Sequence, residues 1–296
     1  MIRIRTRSLT AKRDSYKVLS KVRLLPGPQD MDTRSAEQLS REELVLKFST
    51  KSVANPRHPE RNEDAVGFDE GAQWAAVLDG VGGSFAGYEA SRKALEVIRD
   101  RLSRAKSPRN IDQMKGELEK TFKEASKIVA KETPGGQTTV VLAWIVGFGD
   151  SKIAVIGSVG DCRAYLLRDG KLEKTTQDDS IIPSEIGEKL DNVVNDNDLS
   201  DQEMGFFYQR NIITQDLGMK GVPVVHLYQK ELRKGDKIIL TSDGVHDNLT
   251  FDEIGGSVSE QDDVAGELVD RAYARSLESH FRAKKDDISA VVVEVH

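Results

Sequence analysis

The sequence predicts an α+β fold in which two antiparallel β-sheets pack face to face and helices cover their outer surfaces. Several strand-like segments are joined by short turns, which require antiparallel pairing. Two consecutive segments have helical periodicity, and each carries one apolar face. The order of elements is strands, two helices, strands, one helix and a last strand, which differs from the alternating order typical of parallel sheets.

The strands of the N-terminal part flank a polar loop. Residues 45–52 alternate in polarity and predict a first strand. The loop 54–61 contains two prolines and leads to a strand at 65–68. A turn at 69–71 and an apolar run at 74–78 complete a predicted hairpin.

Two long amphipathic helices follow, at 86–104 and 110–131. Helices that each have one apolar face are expected to pack side by side against a sheet. The residues predicted to face the core are Ala90, Ala94, Leu95, Ile98, Leu102, Met114, Leu118, Phe122, Ala125 and Val129.

The second half of the chain is mostly β-structure. It contains one further predicted helix, at 262–279. Residues 178–210 are polar, acidic and poorly periodic, which predicts a mobile insertion over one end of the fold. The predicted strands are 138–146, 152–159, 164–167, 224–228, 237–240 and 288–295.

Composition narrows the class of protein. The chain has 296 residues and a net charge of −6, which argues against a general nucleic-acid binder. No run approaches the roughly 20 apolar residues that a membrane span needs, and no signal-peptide core is visible, so we expect a cytoplasmic protein without a membrane span. The single cysteine, Cys162, excludes an internal disulfide and a cysteine-based zinc site.

Residues 1–45 are expected to form a basic, partly disordered extension before a domain at 46–296. Residues 1–23 hold eight basic residues and one acid, Asp14. A solvated arm is the first interpretation of this stretch, and an organelle-targeting peptide or a docking arm for an acidic partner are the others. Within the extension, residues 35–44 have helix-forming composition.

Aspartates recur at or near the ends of the predicted strands, usually beside glycine. Clustered carboxylates are the ligands that Mg²⁺ and Mn²⁺ prefer, and two such ions about 4 Å apart can clamp a phosphate for in-line attack. An Asp-Gly pair after a strand is most often only a turn, as expected for Asp169. The residues alone therefore leave both a binuclear metal site and a set of turns open. The aspartates are Asp64, Asp79, Asp161, Asp243, Asp286 and Asp287.

Seven short blocks of the sequence, taken in order, resemble the signature motifs of the metal-dependent serine/threonine protein phosphatases, the PPM or type 2C family. The resemblance runs from about residue 46 to the C-terminus, and 211–218 is also similar. Val81 follows the opening Asp-Gly, as in the bacterial-type members. The blocks are 62–65, 77–84, 136–139, 158–163, 176–180, 240–244 and 286–289.

This resemblance implies an α-β-β-α sandwich with a metal cleft at one edge of the two sheets. It implies hydrolysis of phosphoserine and phosphothreonine in proteins, with two Mg²⁺ or Mn²⁺ ions and no covalent intermediate. Asp79 would bridge the two ions, and 178–210 would be the family's flap over the substrate. Expected partners are a phosphorylated protein substrate and a cognate serine/threonine kinase, and we expect a monomer.

The resemblance also implies a ligand for each ion. Glu63, Asp64 and the carbonyl of Gly80 would serve one ion together with Asp79. The other ion would be held by Asp243 and Asp286. A third, weaker ion would lie at Asp161 and Asp243, and Asp287 stands where the family usually has asparagine.

Two departures from the family pattern concern the phosphate and the proton. Pro59 stands where the family usually has a phosphate-binding arginine, so Arg61 is the preferred substitute and Arg57 the alternative. A guanidinium suits this role because it binds phosphate oxygens bidentately. Val81 cannot donate a proton, so the proton for the leaving alkoxide has to come from water or from another group.

Two rival functions remain at this point. The absence of arginine at position 59 is consistent with a non-catalytic phosphatase-like module that binds a phosphoprotein or regulates a kinase. A metal-dependent hydrolase of small phosphate esters is the second rival. For His58 and His246 we expect no catalytic role, and for Cys162 we expect that of a small buried hydrophobe.

Overall fold

The computed structural model describes residues 44–82, 85–149, 151–259 and 263–296. Most of the predicted N-terminal extension, with its helix at 35–44, lies outside the described residues. No helix in the described ranges is both long enough and apolar enough to span a bilayer.

The described strands form two five-stranded sheets, and every strand pair is antiparallel. In chain order they are β1 (Leu46–Val53), β2 (Ala65–Asp69), β3 (Trp74–Leu78), β4 (Val140–Phe148), β5 (Ser151–Val159), β6 (Arg163–Arg168), β7 (Lys171–Lys174), β8 (His226–Leu232), β9 (Lys237–Thr241) and β10 (Ile288–Val295). The strand orders are β1-β10-β9-β6-β7 in the first sheet and β2-β3-β4-β5-β8 in the second.

Helices cover both sheets. α1 and α2 pack on the second sheet, and α6 and α7 pack on the first, so the α-β-β-α sandwich is confirmed. The helices are α1 (Phe85–Arg104), α2 (Ile111–Glu132), α3 (Ser184–Leu190), α4 (Asp201–Tyr208), α5 (Asp243–His246), α6 (Phe251–Ser259) and α7 (Val264–Leu277), with a 3₁₀ turn at Asp196–Asp198.

The core has three apolar layers, one between the sheets and one under each helix pair. Val77, Ile156 and Val291 belong to the layer between the sheets. Trp74 packs with α1 and α2, and all ten residues predicted to form their inner faces are buried. The helical periodicity of the sequence therefore identified the correct faces.

The insertion at 178–210 differs from the expectation. It contains α3, α4 and the 3₁₀ turn, whereas its polar, poorly periodic sequence predicted no regular structure. A capping box explains α4, because the Ser200 and Glu203 side chains each bond to the other's backbone N–H. The short helices α5 and α6 were not predicted either.

Chain direction brings several strand ends to one edge of the sandwich. In the second sheet, the end of β3, the start of β4 and the end of β5 are neighbours. In the first sheet, the end of β9 lies beside the starts of β6 and β10. The link 160–162 crosses from β5 to β6 at the same edge. Antiparallel pairing within each sheet, together with packing of the two sheets on each other, thus gathers the predicted aspartates.

A glycine contact sets how closely α1 approaches this edge. A Cβ atom on Gly80 would lie 2.5 Å from the backbone carbon and oxygen of Gly87 in α1 and 2.9 Å from the carbonyl of Glu63. Real Cβ atoms do not come this near to main-chain atoms, so any side chain at Gly80 pushes α1 or the loop before β2 away.

We predict that Gly80→Ala lowers the free energy of unfolding by about 2 kcal/mol or more, because overpacking against rigid backbone costs that much. Chemical denaturation measures this. Gly116→Ala is the matched control, because Gly116 lies inside α2 with open space at its Cβ. It should be neutral or stabilising by up to about 1 kcal/mol. Equal effects of the two substitutions would contradict the close-approach argument.

Ion pairs tie the insertion to the first sheet. Arg163, at the start of β6, donates to Asp178 through Nε at 3.1 Å and Nη2 at 2.6 Å, and to Asp191 through Nη1 at 2.9 Å. Burial opposes ionisation of Asp178, but Arg163 and Lys174 more than offset it and lower the pKa of Asp178 to about 2. The charge of Asp178 therefore stabilises the folded state.

We predict that Asp178→Asn lowers the free energy of unfolding by about 2 kcal/mol at pH 7, the equivalent of its pKa shift. Because the folded-state pKa is the lower one, this contribution is complete above pH 4 and disappears as the pH falls toward 2. Denaturation at pH 7 and pH 2.5 measures the difference. Asp198→Asn, at an exposed acid of the same insertion, is the control and should have little effect at either pH. A penalty for Asp178→Asn that is the same at both pH values would contradict the assignment.

Candidate metal centre

Asp79 lies directly after β3, where its main chain is clamped. Its carbonyl accepts hydrogen bonds from the Thr138 hydroxyl at 2.7 Å and from the Thr139 N–H at 2.8 Å. The clamp fixes the Asp79 backbone between β3 and β4. The side chain is therefore presented from a rigid strand end.

Other carboxylates surround Asp79. Burial, followed by repulsion from the four acids Asp243, Asp64, Asp286 and Asp161, raises its pKa well above the usual range. The structure thus brings together five aspartates, each of which lies at or near the end of a different strand. A positive charge placed among them would relieve the repulsion.

Two carboxylate oxygens of this group have no hydrogen-bond partner although they are buried. The Ser242 hydroxyl donates to Asp64 Oδ2 at 2.8 Å, while Asp64 Oδ1 accepts no bond. Asp243 Oδ1 is likewise unpaired. Burial is the main cause of the raised pKa of both groups, which reaches about 6 for Asp243. Unpaired buried oxygens of this kind are costly unless they bind a cation.

Asp243 and Asp286 are held next to each other by a glycine contact and by a lysine. A Cβ atom on Gly244 would lie 2.0 Å from the carbonyl oxygen of Asp287, so glycine allows the two segments to touch. The Lys284 ammonium contacts Asp243 at 2.6 Å and Asp286 at 3.0 Å. Asp287 itself points elsewhere and accepts the backbone N–H groups of Asn55 and Glu63.

Asp161 connects the group to an open cleft. Burial and the charge of Asp243 raise its pKa well above the usual range. It is the one predicted metal ligand that lines a cleft of 520 Å³ between the sheets' edge and the insertion. The cleft also contains Arg163, Arg210 and Arg282.

Glu63, which precedes Asp64, forms an ion pair with a neighbouring arginine. It is 2% exposed, and Arg61 Nε lies 2.9 Å from its Oε1. Burial raises the pKa of Glu63 while Arg61 opposes the rise. The predicted phosphate-binding Arg61 therefore lies beside the predicted metal ligand Glu63, whereas Arg57 is exposed.

The remaining predicted residues take structural positions. His58 Nδ1 lies 2.9 Å from the carbonyl of Arg61, within the loop before β2. His246 is buried in α5, and its carbonyl accepts a bond from Arg282. Cys162 is buried against Thr139, as expected for a small hydrophobe. Gly80 is buried at the contact with α1.

The donor set fits a hard divalent cation. In the described part of the chain, no three His, Cys, Asp or Glu side chains form a ready-made cage for one ion. The unpaired oxygens of Asp64 and Asp243, together with the repulsion around Asp79, nevertheless provide the oxygen ligands and the excess negative charge that such a cation needs. Asp64, Asp79, Asp161, Asp243 and Asp286 are the residues that could hold it.

Sequence reasoning missed two cations near this group. Lys284 contacts two of the predicted ligands, and Arg282 donates to the carbonyls of Leu190 and Val193 in the insertion. Neither lies in a recognisable pattern, because a lysine or arginine in a polar loop is usually solvated. Their proximity to Asp286 in sequence was the available signal.

Comparison with known proteins gives consistent matches. The curated serine/threonine protein phosphatase PstP of Mycobacterium tuberculosis is 27% identical over 222 residues, which is 73% of this chain and 39% of PstP. The chain thus spans less than half the length of that relative. The serine/threonine phosphatase stp of Listeria monocytogenes is 25% identical over 68% of this chain and 78% of its own length.

A solved structure shares the fold. The catalytic domain of the serine/threonine protein phosphatase PstP, in complex with two manganese ions, superposes with a TM-score of 0.64. The alignment covers 86% of this chain and 99% of that domain at 23% identity. The family model described as protein phosphatase 2C matches residues 55–282. This match spans most of the chain, which therefore belongs to the protein phosphatase 2C family.

Proposed function

We propose that this protein hydrolyses phosphoserine and phosphothreonine in proteins, at a centre of two Mg²⁺ or Mn²⁺ ions held by the carboxylates at the sandwich edge. The observation that carries the proposal is the group around Asp79, in which four other carboxylates approach and two buried oxygens stay unpaired. Such a group is unfavourable for the fold and is kept where function needs it.

Support for the substrate class comes from the relatives. The PstP and stp proteins are named serine/threonine phosphatases, and the PstP catalytic domain was solved with two manganese ions. Two ions of this kind supply Lewis-acid activation of water and neutralise charge on the phosphoryl oxygens. The proposal includes either Mg²⁺ or Mn²⁺ as the metal, and a third, weaker ion near Asp161.

In this proposal the ligands divide between the two sheets. Asp64 and Asp79, from the second sheet, would hold one ion together with Glu63 and the carbonyl of Gly80. Asp243 and Asp286, from the first sheet, would hold the other, and Asp79 would serve both. Packing of the two sheets on each other would then set how far apart the two groups of ligands lie.

Arg61 and the cleft under the insertion are the proposed substrate contacts. Arg61 is 27% exposed and pairs with Glu63, one of the proposed ligands, so its guanidinium lies where a phosphate beside the ions could reach it. The cleft under the insertion has room for the polypeptide around the phosphorylated residue. Its lining carries both acidic and basic side chains.

We predict that Asp79→Asn abolishes Mn²⁺-dependent hydrolysis of a phosphoserine peptide while the protein stays folded. Because the ionised carboxylate is repelled by its neighbours, the neutral variant should be as stable in EDTA as the unmodified protein, or more stable. Phosphate release and thermal unfolding measure the two effects. Asp243→Asn should also abolish hydrolysis.

Asp169→Asn is the control for these variants. Asp169 lies in the turn between β6 and β7 with φ 51°, a conformation that asparagine tolerates well. This variant should keep full activity and full inhibition by EDTA. Turnover that persists in Asp79→Asn, or turnover by the unmodified protein that EDTA leaves undiminished, would refute the proposed mechanism.

For the phosphate contact we predict that Arg61→Ala lowers kcat/KM for a phosphopeptide by roughly 10- to 100-fold, the effect of losing hydrogen bonds to a charged group. Arg57→Ala is the matched control, because it removes the same charge from an exposed position of the same loop. It should change kcat/KM by less than about 3-fold, as expected of a solvent-screened charge. A larger loss in Arg57→Ala than in Arg61→Ala would assign the phosphate to Arg57 instead.

A further inference from the structure

The ammonium of Lys284 lies among three carboxylates at the edge of the proposed centre. Its distances are 2.6 Å to Asp243 Oδ2, 2.7 Å to Asp247 Oδ2 and 3.0 Å to Asp286 Oδ2. The Lys284 side chain is 21% exposed. This lysine therefore makes short, largely desolvated contacts with two of the residues assigned to one ion.

The backbone of Lys284 is fixed by a buried asparagine. Asn248 Oδ1 accepts the Lys284 N–H at 2.9 Å, and Asn248 Nδ2 donates to the carbonyls of Lys284 at 2.9 Å and Gly244 at 2.8 Å. Asn248 is fully buried and lies five residues after Asp243, just beyond α5. The clamp holds the lysine at a set distance from Asp243, so the contact is a built feature of this edge.

The third carboxylate has a second cation. Arg210 Nε lies 3.2 Å from Asp247 Oδ1, whereas Lys284 contacts the other oxygen, Oδ2. Removal of the lysine would thus leave Asp247 with a partner. The charge of Lys284 acts mainly on Asp243 and Asp286.

We propose that Lys284 is an intramolecular counter-ion that competes with a divalent cation for Asp243 and Asp286. The inference rests on the proposed function, which assigns this pair to a metal ion. The new element is that the metal ion can bind at this pair only if Lys284 is displaced or its charge is tolerated.

Electrostatics gives the direction of the effect. An ammonium bonded to the same carboxylates lies within a few ångströms of any ion they hold, and repulsion at that distance is strong away from bulk water. The metal ion has to displace Lys284 or bind next to the lysine's positive charge. Both cases lower the affinity of Asp243 and Asp286 for the ion. The same ammonium offsets the repulsion between Asp243 and Asp286 in the protein stripped of metal.

The test is titration of Mn²⁺ into the EDTA-stripped full chain, followed by calorimetry and by electron paramagnetic resonance of free Mn²⁺. Lys284→Met removes the charge and keeps the length of the side chain. We expect the Mn²⁺ site that contains Asp243 and Asp286 to tighten by roughly 10-fold or more. The stripped variant should also unfold at a lower temperature, and Mn²⁺ should restore its stability.

Two further variants isolate the charge. Lys285→Met removes an exposed charge one position along the chain and should leave Mn²⁺ affinity within about 2-fold, as expected for a solvent-screened charge. Lys284→Gln keeps a hydrogen-bond donor without the charge, and it serves as the test if Lys284→Met does not fold. It should tighten Mn²⁺ binding as Lys284→Met does.

The outcomes separate this inference from the proposed function. If the unmodified protein and both Lys284 variants bind two Mn²⁺ ions with the same affinities, the competition is refuted and the proposed metal centre is supported. Weaker binding in the Lys284 variants would also overturn it, because the lysine would then be orienting Asp243 for the metal. No Mn²⁺ binding by any variant would overturn both.

Discussion

Repulsion among carboxylates that meet at one edge of the sandwich is the constraint on which the rest of the site depends. Antiparallel pairing brings the ends of β3 and β5 to one edge of the second sheet, and the end of β9 and the start of β10 to one edge of the first. An aspartate lies at or next to each of these strand ends, and packing of the two sheets brings the two sets together. Burial, followed by the charge of four neighbours, raises the pKa of Asp79. A protein can keep such a group only if hydrogen bonds, cations or metal ions offset the repulsion.

The molecule provides part of this compensation from its own residues. The Ser242 hydroxyl bonds to Asp64, Arg61 pairs with Glu63, and Lys284 pairs with Asp243 and Asp286. Compensation is incomplete, because one oxygen each of Asp64 and Asp243 stays unpaired. The incomplete balance favours binding of further positive charge, which agrees with membership of the protein phosphatase 2C family.

Secondary structure was predictable where segments are long and periodic. The inner faces of α1 and α2 and the bounds of β3 and β10 agree with the sequence, because burial of one face imposes a regular pattern on the residues. The helices α3, α4, α5 and α6 were missed. They have at most nine residues, and local caps such as the one at Ser200 and Glu203 stabilise them without a long apolar stripe.

The available chemistry could be predicted from the residues alone: which aspartates lie at strand ends, which of them have glycine beside them, and which family the ordered blocks resemble. How these groups face one another depends on the folded arrangement. It paired Arg61 with Glu63, left single oxygens of Asp64 and Asp243 unpaired, and directed Lys284 at an aspartate 41 residues away. Such contacts depend on how the two sheets and their loops pack. Local propensity does not encode the distances between segments that are remote in the chain.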